Sequence, residues 1–372
     1  MAADVVIVGA GFVGLSTAYW ISELRPDLKI ILLDRNQVGS GASGRNAGFL
    51  TKGSATFYKT LSKEWGHEKA ESLKSFAEAS LELLYQNILK SSPEIKFEKT
   101  SSLTLFQKEE SKLKWDKELF DPEIFGFTWL NEQDLPSGLQ AKFFGAYESG
   151  PEYKINPMQL LNTLRATLES RKIQVIENLS AFELTADGVS TEYNKIKCKK
   201  VVLALNGYAP EFSQAFKGVI FPRRAQMLAV ELEDELNTNA LHYDSPERVY
   251  WRKSDEKTLI IGGKRLLDEA NEEGAFEKIS SKIQTGLERY LVEQLKVRFK
   301  VIHRWSGIMG FTEHELPFIT NVEAALETYM IGGFSGHGMG LGFKSAEEMA
   351  RRVIGKSSTS IFDPFKMVNL KL

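Results

Sequence analysis

Three glycines near the start of the chain, Gly9, Gly11 and Gly14, have the spacing of a phosphate-binding turn. In such a turn the first glycine permits a tight bend, the second lets the backbone approach a pyrophosphate, and the third lets a helix pack closely on a strand. Asp34 follows the last glycine by about 20 residues, where a carboxylate binds ribose hydroxyls and disfavours a 2′-phosphate. The pattern predicts a site for an adenine dinucleotide other than NADP.

The segments around these glycines have the pattern of a strand–helix–strand unit. Residues 5–8 are a short apolar run typical of a buried parallel strand, and residues 15–24 follow as a helix. Residues 29–33 form a second apolar strand that ends at Asp34. This context favours dinucleotide binding over the alternative, a glycine-rich turn that serves packing alone.

Several apolar patterns predict the elements farther along the chain. A second helix–strand unit begins at Asn156, and residues 201–205 form another buried strand that runs into Gly207. A last helix is expected just after Gly340. One long helix is predicted from five apolar residues at helical spacing, which are Phe276, Ile279, Ile283, Leu287 and Leu291.

Composition and charge exclude several classes of protein. The 47 basic and 49 acidic side chains nearly cancel, whereas nucleic-acid-binding proteins usually carry a basic excess. A single cysteine, Cys198, allows no internal disulfide and no cysteine-based metal site, and the five histidines show no metal-ligand spacing. No signal peptide or membrane span is evident. We therefore expect a cytoplasmic protein without metal, nucleic acid or an integral membrane segment.

Six stretches, distributed over nearly the whole chain, carry a resemblance to a known family. They are VVIVGAGFVGLSTAYW, LLDRNQVGSGASGRNAGF, KINPMQLLNTLRATLESRKIQVIEN, VVLALNGYAPEF, HRWSGIMGFTEHELPFI and MIGGFSGHGMGLG. In this order they resemble the FAD-dependent amine and amino-acid oxidases, the DAO family, which includes D-amino acid oxidase, glycine oxidase and monomeric sarcosine oxidase. The stretches GASGRNAG, ALNGY and SGHGMG are most similar to the γ-glutamylputrescine oxidase branch.

The resemblance implies an α/β fold with two domains. A Rossmann-like FAD-binding domain would carry an inserted α+β substrate domain, whose antiparallel sheet covers the flavin. The expected FAD-binding domain is discontinuous and comprises residues 1–85, 150–220 and 328–372. The expected substrate domain comprises residues 86–149 and 221–327.

The resemblance also implies roles for particular residues. The ADP half of FAD would lie at the glycine turn, and the isoalloxazine ring would lie between the loop at 43–48 and the loop at 336–339. The expected cofactor contacts are Gly9, Gly11, Gly14, Asp34, Arg35, Ser43, Arg45, Asn46, Gly48, Ala181, Gly207, Gly336, His337, Gly338 and Met339. The residues expected to take part in catalysis are His337, Tyr250 and Arg45.

Four positions depart from relatives within that family. Monomeric sarcosine oxidases attach FAD to a cysteine in the segment matched by residues 307–311, and related dehydrogenases attach it to a histidine near Arg45. This chain has neither residue, so noncovalent FAD is expected. The lysine that holds the substrate carboxylate in sarcosine oxidases falls at Gly340, and the lysine that promotes reaction with oxygen falls at Ile260. These losses weigh against carboxylate recognition and fast oxygen use of that kind.

Some residues have two interpretations that the sequence leaves open. Tyr250 or Trp251 could line an amine pocket through a ring–cation contact, or could pack inside a sheet, and strand alternation lets only one of them face the site. His337 lies in a glycine-rich loop. There it either contacts the flavin or substrate, or it forms a hydrogen bond with the nearby backbone. His67 and His242 are predicted at the surface. Four basic residues either bind an acidic substrate tail or are solvated charges, namely Arg223, Arg224, Lys264 and Arg265.

These observations predict an FAD-dependent oxidoreductase that oxidises the C–N bond of a primary or secondary amine. Hydride would pass to flavin N5, the imine would hydrolyse, and oxygen or another acceptor would take up the electrons. A glycine, sarcosine or D-amino-acid oxidase is the alternative within the same class. The alternatives from other classes are a flavin-binding protein without turnover and an NAD-dependent dehydrogenase.

Overall fold

The computed structural model describes residues 1–53, 58–118, 126–356, 361–362 and 372. Within these residues the helices are α1 (Phe12–Leu24), α2 (Ala42–Arg45), α3 (Tyr58–Trp65), α4 (His67–Asn87), α5 (Glu109–Glu118), α6 (Pro157–Ser170), α7 (Ala209–Phe212), α8 (Ser281–Glu293) and α9 (Gly338–Val353). The strands are β1 (Val5–Val8), β2 (Ile30–Leu33), β3 (Phe49–Leu50), β4 (Phe97–Phe106), β5 (Thr128–Asn131), β6 (Gly145–Ile155), β7 (Gln174–Ile176), β8 (Ala181–Thr185), β9 (Gly188–Thr191), β10 (Lys195–Lys197), β11 (Lys200–Leu203), β12 (Phe221–Leu232), β13 (Leu241–Asp244), β14 (Val249–Lys253), β15 (Thr258–Gly263), β16 (Phe299–Phe311), β17 (Phe318–Val322) and β18 (Glu327–Gly332).

A largely parallel sheet has the strand order β17-β18-β11-β1-β2-β7. Only its edge strand β17 runs antiparallel to its neighbour. All four residues of β1 and of β2 are buried, which fits strands with helices on both faces. The carboxyl ends of β1, β2, β11 and β18 therefore meet at one edge, where open α/β sheets bind their ligands.

The first and last long helices pack against each other beside this sheet. The Trp20 indole donates a hydrogen bond of 3.1 Å to the Phe343 carbonyl, and the Phe343 ring contacts those of Phe12 and Tyr19. At Gly342 of α9 a Cβ would lie only 3.0 Å from a Val13 methyl group. This packing brings the start of α9 next to the glycine turn that precedes α1.

A second sheet of nine strands follows the order β16-β12-β15-β14-β13-β4-β6-β3, with β5 paired to β6. Its pairings are antiparallel except between β13 and β4. Helix α8 covers one face, where Ile283, Leu287 and Leu291 are fully buried against strand residues such as Trp251. The opposite face carries Met227, Tyr250 and the side chains that reach the parallel sheet.

Two strands lie in the sheet of the other predicted domain. Strand β3, inside residues 1–85, pairs with β6 of the nine-stranded sheet, and β17, inside residues 221–327, pairs with β18. A smaller sheet, β8–β10, lies beside the carboxyl end of β2. The domain boundaries themselves stay a prediction.

Two predicted helix boundaries and one predicted side-chain exposure were wrong. The long helix begins at Ser281 because the Ser280 hydroxyl caps it, so Phe276 and Ile279 lie outside it and are 54% and 42% exposed. The last helix begins at Gly338, before Gly340. His242 is fully buried, its ring stacked on Trp251 with centroids 3.7 Å apart, and burial lowers its pKa to about 3. Strand pairing placed His242 in the core, which its own neighbours in the sequence did not indicate.

Among the helices that the structure describes, none combines the length and apolar character needed to cross a lipid bilayer.

Candidate functional site

The turn between β1 and α1 has room only for glycines. Gly9 has a φ of +110°, and a Cβ there would lie 2.6 Å from the Ala204 carbonyl oxygen. A Cβ at Gly14 would overlap the Gly9 carbonyl, and one at Gly11 would lie 2.9 Å from the Ser43 hydroxyl. These close contacts require glycine at all three positions, as in a dinucleotide-binding turn.

The amino end of α1 offers positive potential at this turn. Gly11 is the residue before the helix and brings no side chain to cap it. The Phe12 N–H donates to the Ser43 hydroxyl over 2.9 Å, and the first turn carries no acidic residue. The helix dipole and the free N–H groups of a first turn favour a bound phosphate. A cradle that a Cβ would fill, together with this helix end, fits the diphosphate of FAD.

Asp34 lies at the end of β2 and holds the glycine turn in place. One carboxylate oxygen accepts the Ala10 N–H and the other accepts the Asn36 N–H, each over 2.8 Å. Burial raises the pKa of Asp34. A carboxylate has acceptor sites beyond these two bonds, so it can still receive a ribose hydroxyl. The role of Asp34 as a ribose contact stays a prediction.

Two other residues predicted at the adenosine end lie around Asp34. The Leu179 N–H donates to the Asp34 carbonyl over 2.9 Å, which places Ala181, at the start of β8, close to this strand end. Arg35 lies over the Tyr208 ring at 4.5 Å and pairs with Glu211 at 2.6 Å. The guanidinium of Arg35 is thus anchored beside the turn rather than inside it.

The loop at 42–48 is braced from within by Asn46. Its amide donates to the carbonyls of Ala42 and Ser43, and its side-chain oxygen accepts the Gly48 N–H over 2.8 Å. Gly48 has a φ of +73°, and a Cβ there would overlap the Ile155 carbonyl. Asn46 and Gly48 therefore fix the shape of the loop that is expected to line the flavin.

Arg45 connects this loop to the nine-stranded sheet. Its guanidinium donates to the carbonyls of Ser40 and Ser306, the latter over 3.0 Å, and pairs with Glu277 at 2.8 Å. The Trp305 indole donates to the Arg45 carbonyl over 2.8 Å. Through these contacts Arg45 holds the loop against the nine-stranded sheet. Its predicted catalytic role stays a prediction.

The loop at 333–337, called the closing loop below, forms hydrogen bonds with the loop after β11 and with β16. The Asn206 side-chain oxygen accepts the Gly333 N–H over 3.1 Å, and the Ser335 N–H donates to the Gly310 carbonyl over 2.9 Å. A Cβ at Gly207 would lie 2.9 Å from the Met309 carbonyl oxygen. Gly207 was predicted from the sequence and Asn206 was not, although an Asn-Gly pair directly after a strand was the available signal.

His337 is the residue at the amino end of α9. Its Nδ1 lies 3.4 Å from the Ser335 carbonyl, and burial lowers its pKa, so the ring is neutral at pH 7. Gly336 has a φ of +91° and its Cβ would lie 3.6 Å from the Met309 sulfur. Gly338 and Met339 form the first turn of α9 behind this loop.

Gly340 explains one departure from the sarcosine oxidases. A Cβ at Gly340 would overlap the Thr51 carbonyl oxygen. A lysine therefore cannot take this position without moving the chain after β3. The close approach of α9 to residue 51 brings the closing loop against the flavin-lining loop.

Strand alternation on β14 places Tyr250, and not Trp251, on the face toward the flavin-lining loop. The Tyr250 ring meets Phe49 edge-on with centroids 6.1 Å apart, and its hydroxyl lies 3.3 Å from the Met227 sulfur. Trp251 is fully buried in the other face. Burial raises the pKa of Tyr250 to about 12, so this hydroxyl stays protonated in ordinary buffers.

Arg252 lies on the same face as Tyr250 and was missed as a positioning residue. Its side chain is buried, and its guanidinium donates to the Ala47 carbonyl and, over 3.1 Å, to the Ile155 carbonyl. Burial lowers its pKa to about 10. No local sequence signal marks such a residue, because both acceptors are distant in the chain.

A recess of about 350 Å³ lies outside the predicted cofactor contacts, and its lining includes Lys52, Glu78 and Tyr153. Next to it, the Glu152 side chain is buried and accepts the Lys52 N–H over 3.1 Å. Burial raises the pKa of Glu152 from 4.5 to about 8. The folded chain thus keeps a proton that the unfolded chain releases.

We expect Glu152→Gln to stabilise the protein at pH 8.5 and to have little effect near pH 4. Between pH 4.5 and about 8 the unfolded state binds fewer protons at this residue, so stability falls as pH rises. The variant removes that loss, which is worth about 5 kcal/mol at most. Thermal unfolding across pH measures it, with Glu148→Gln on the same strand as the control. Parallel pH profiles for parent and Glu152→Gln would contradict the assignment.

Comparison with known proteins gives this site its family. A family model described as FAD dependent oxidoreductase (DAO) matches residues 4–352. A probable oxidoreductase, OrdL, of Rhizobium meliloti is 25% identical over 96% of this chain and 84% of its own length. Gamma-glutamylputrescine oxidoreductase of Escherichia coli is 24% identical over 90% of this chain and 80% of its own length.

The glycine oxidase of Geobacillus kaustophilus has the same fold, with a TM-score of 0.81 at 18% identity over 99% of this chain and 98% of that one. The predicted α/β fold class is thereby confirmed. The glycine turn alone is compatible with NAD or with FAD, and the family model decides for FAD. The chain belongs to the DAO family of FAD-dependent oxidoreductases.

Proposed function

We propose that this FAD-dependent oxidoreductase oxidises the C–N bond of a primary or secondary amine. The observation that carries the proposal is the aromatic face formed by Tyr250 and Phe49, of which Phe49 directly follows Gly48 of the flavin-lining loop. Arg252, on the same strand as Tyr250, connects this strand to the flavin-lining loop by its hydrogen bond to the Ala47 carbonyl. An aromatic surface at this point suits an uncharged amine.

FAD would be held noncovalently by the residues described above. The diphosphate would lie at the amino end of α1, the ribose at Asp34, and the ring between the loops at 43–48 and 336–339. Cys198 packs in the core near Val189 and Ile196, and burial raises the pKa of its thiol to about 11. A buried, protonated thiol in that place is no attachment point for the flavin.

When bound, FAD supplies the hydride acceptor for a C–H bond next to nitrogen. The chain's own residues orient the substrate and exclude water. Desolvation against Tyr250 and Phe49 lowers the pKa of an entering ammonium, so the substrate nitrogen loses its proton. The His337 ring is neutral at pH 7, so a ring nitrogen has a free lone pair that can accept that proton. Tyr250 contributes its ring face and a hydroxyl that does not ionise.

Two relatives support this chemistry by their names. The Escherichia coli relative is a gamma-glutamylputrescine oxidoreductase, and the structural neighbour is a glycine oxidase. In both named substrates an amine nitrogen is bonded to a carbon that can be oxidised. We carry the bond type over to this chain and leave the individual substrates with those proteins.

An anaerobic absorbance screen tests the proposal. The holoprotein is mixed without oxygen with primary amines, secondary amines and amino acids, and the flavin band is followed. We expect at least one amine to bleach the oxidised flavin. A yellow protein that no member of the panel bleaches would favour a flavin-binding protein without turnover.

We expect His337→Ala to slow anaerobic flavin reduction by about tenfold to a hundredfold, because a positioned proton acceptor is lost. The fold should remain, since among the described residues the His337 side chain forms a single long hydrogen bond, with the Ser335 carbonyl. Stopped-flow absorbance measures the rate, and His67→Ala, at an exposed position on α4, is the control. Equal reduction rates in His337→Ala and parent would remove His337 from the site.

A further inference from the structure

Three residues form a row across the face of the nine-stranded sheet that carries Tyr250, and the middle residue has no side chain. Gly262 on β15 pairs with Met227 on β12 on one side and with Tyr250 on β14 on the other. The next row on the same face has the side chain of Ile260 in its middle. The sheet therefore has a gap at Gly262, directly between Met227 and Tyr250.

The Tyr250 ring lies across this gap. Met227 and Tyr250 have β15 between them, so their backbones are roughly 10 Å apart. The Tyr250 hydroxyl nevertheless lies 3.3 Å from the Met227 sulfur. Two side chains that stood perpendicular to the sheet, as strand side chains usually do, would not meet at this distance. The Tyr250 ring is therefore tilted along the sheet, over Gly262.

This position of the ring requires glycine at residue 262. A Cβ there would lie 2.7 Å from Cζ of Tyr250, and it would overlap the Met227 sulfur. The three atoms nearest to that Cβ position all belong to these two side chains. Gly263 differs, because it has a φ of +119° and its Cβ would overlap the Arg248 carbonyl oxygen. The backbone thus requires Gly263, whereas two side chains require Gly262.

The packing of α8 on the sheet does not need Gly262. Leu259 and Ile261 point to the opposite face of β15, where they are fully buried in the cluster that includes residues of α8. By strand alternation a side chain at residue 262 would point away from that cluster. Glycine inside a strand weakens the strand and often marks a place of close approach. The gap at Gly262 therefore serves the Tyr250 ring and the space above it.

The face of the tilted ring borders the space in front of the flavin-lining loop. Phe49, which directly follows that loop, meets the Tyr250 ring edge-on with centroids 6.1 Å apart. A Cβ at residue 262 would move the ring away from the sheet and into this space. The displacement would be about 0.7 Å or more, because ordinary van der Waals contact begins near 3.4 Å.

We propose that Gly262 determines the size of the amines that this site accepts. By letting the Tyr250 ring lie along the sheet, Gly262 keeps room for a group larger than methyl beside the reacting C–N bond. The inference rests on the proposed amine oxidation and narrows its substrates to amines that carry such a group. The group is uncharged and apolar or aromatic, since the ring presents a face of carbon atoms to it.

The first experiment measures size selectivity on the holoprotein. Two series start from the amine that reduces the flavin fastest in the anaerobic screen. One enlarges the group on nitrogen from methyl to propyl and benzyl, and the other enlarges the group on the oxidised carbon in the same steps. We expect Gly262→Ala to lower the ratio of kcat/KM between the largest and the smallest member about tenfold in at least one series. Gly262→Val should lower this ratio further.

Tyr250→Val separates an effect through the ring from a general effect on folding. Without the ring above residue 262, Gly262→Ala should no longer change the size ratio. Gly286→Ala is the matched control, because Gly286 lies on α8 and its Cβ would meet only a Leu267 methyl group among its nearest contacts. This control should keep the size ratio of the parent. Thermal unfolding of every variant checks that the fold is retained.

A second readout does not depend on turnover. Aniline and 4-isopropylaniline have no hydrogen on the carbon bonded to nitrogen, so neither can lose a hydride there. Each is titrated into the oxidised holoprotein, and the flavin absorbance is followed. We expect Gly262→Ala to raise the Kd of 4-isopropylaniline about tenfold relative to that of aniline.

The two readouts distinguish the failure of each proposal. If no amine reduces the flavin but the Kd of the larger aniline rises selectively, the amine oxidation fails and the role of Gly262 stands. If amines reduce the flavin and Gly262→Ala affects large and small compounds alike, the role of Gly262 fails and the amine oxidation stands. If no amine reduces the flavin and neither aniline shows the shift, both proposals fail.

Discussion

The Gly11→Val variant is expected to be purified without FAD. Any side chain at residue 11 would point toward the Ser43 hydroxyl, which lies only 2.9 Å from the Cβ position. The branched valine would also fill the bare backbone surface that a pyrophosphate must approach. We expect the flavin content, measured from the absorbance ratio of the purified protein, to fall at least about tenfold.

The control for this variant is Gly53→Val. Gly53 is exposed, and no atom of the described residues lies within 4 Å of its Cβ position. Far-ultraviolet circular dichroism should show that both variants keep their secondary structure. A Gly11→Val protein with the flavin content of the parent would contradict the assignment of the glycine turn to the cofactor.

The Arg252→Met variant is expected to bind FAD about tenfold to a hundredfold more weakly, since two hydrogen bonds from a charged donor to the loop region are lost. Those bonds hold the Ala47 and Ile155 carbonyls and so set the position of the flavin-lining loop. Its effect on global stability should be smaller, because methionine also removes a buried charge. Titration of the apoprotein with FAD, followed by flavin fluorescence, gives the Kd.

Two further variants test this interpretation of Arg252. Arg252→Lys keeps the charge but can satisfy the two carbonyls less well, so its Kd should lie between those of parent and Arg252→Met. Arg298→Met removes an arginine that is 74% exposed and pairs with Asp234 at the surface, so it should bind FAD normally. An unchanged Kd in Arg252→Met would show that the loop keeps its position without this side chain.

The sequence was most informative where function depends on the backbone. Gly9, Gly11 and Gly14 are placed by local steric limits, and Asp34 follows from its distance to the turn, so a linear pattern is enough to find them. The strand and helix around them also follow from short apolar runs. These features need no knowledge of which distant segments meet.

The parts that the sequence did not reveal depend on contacts between distant segments. Arg252 is remote in sequence from both Ala47 and Ile155, and Asn206 meets Gly333 only after β11 and β18 have paired. His242 was placed at the surface because nothing near it shows that it stacks on Trp251. For Arg224 and Lys264 the sequence left two interpretations, and only the fold shows that they form ion pairs with Glu272 and Glu247.

The bonds from Arg252 to the Ala47 carbonyl and from the Trp305 indole to the Arg45 carbonyl have a mechanical consequence. They connect the nine-stranded sheet to the flavin-lining loop at two separate strands, which opposes a hinge motion between the two sheets. We therefore expect substrate entry and product exit to proceed through local rearrangement of side chains or short loops. Turnover should then depend little on solvent viscosity, which slows large domain motions far more than side-chain rotations.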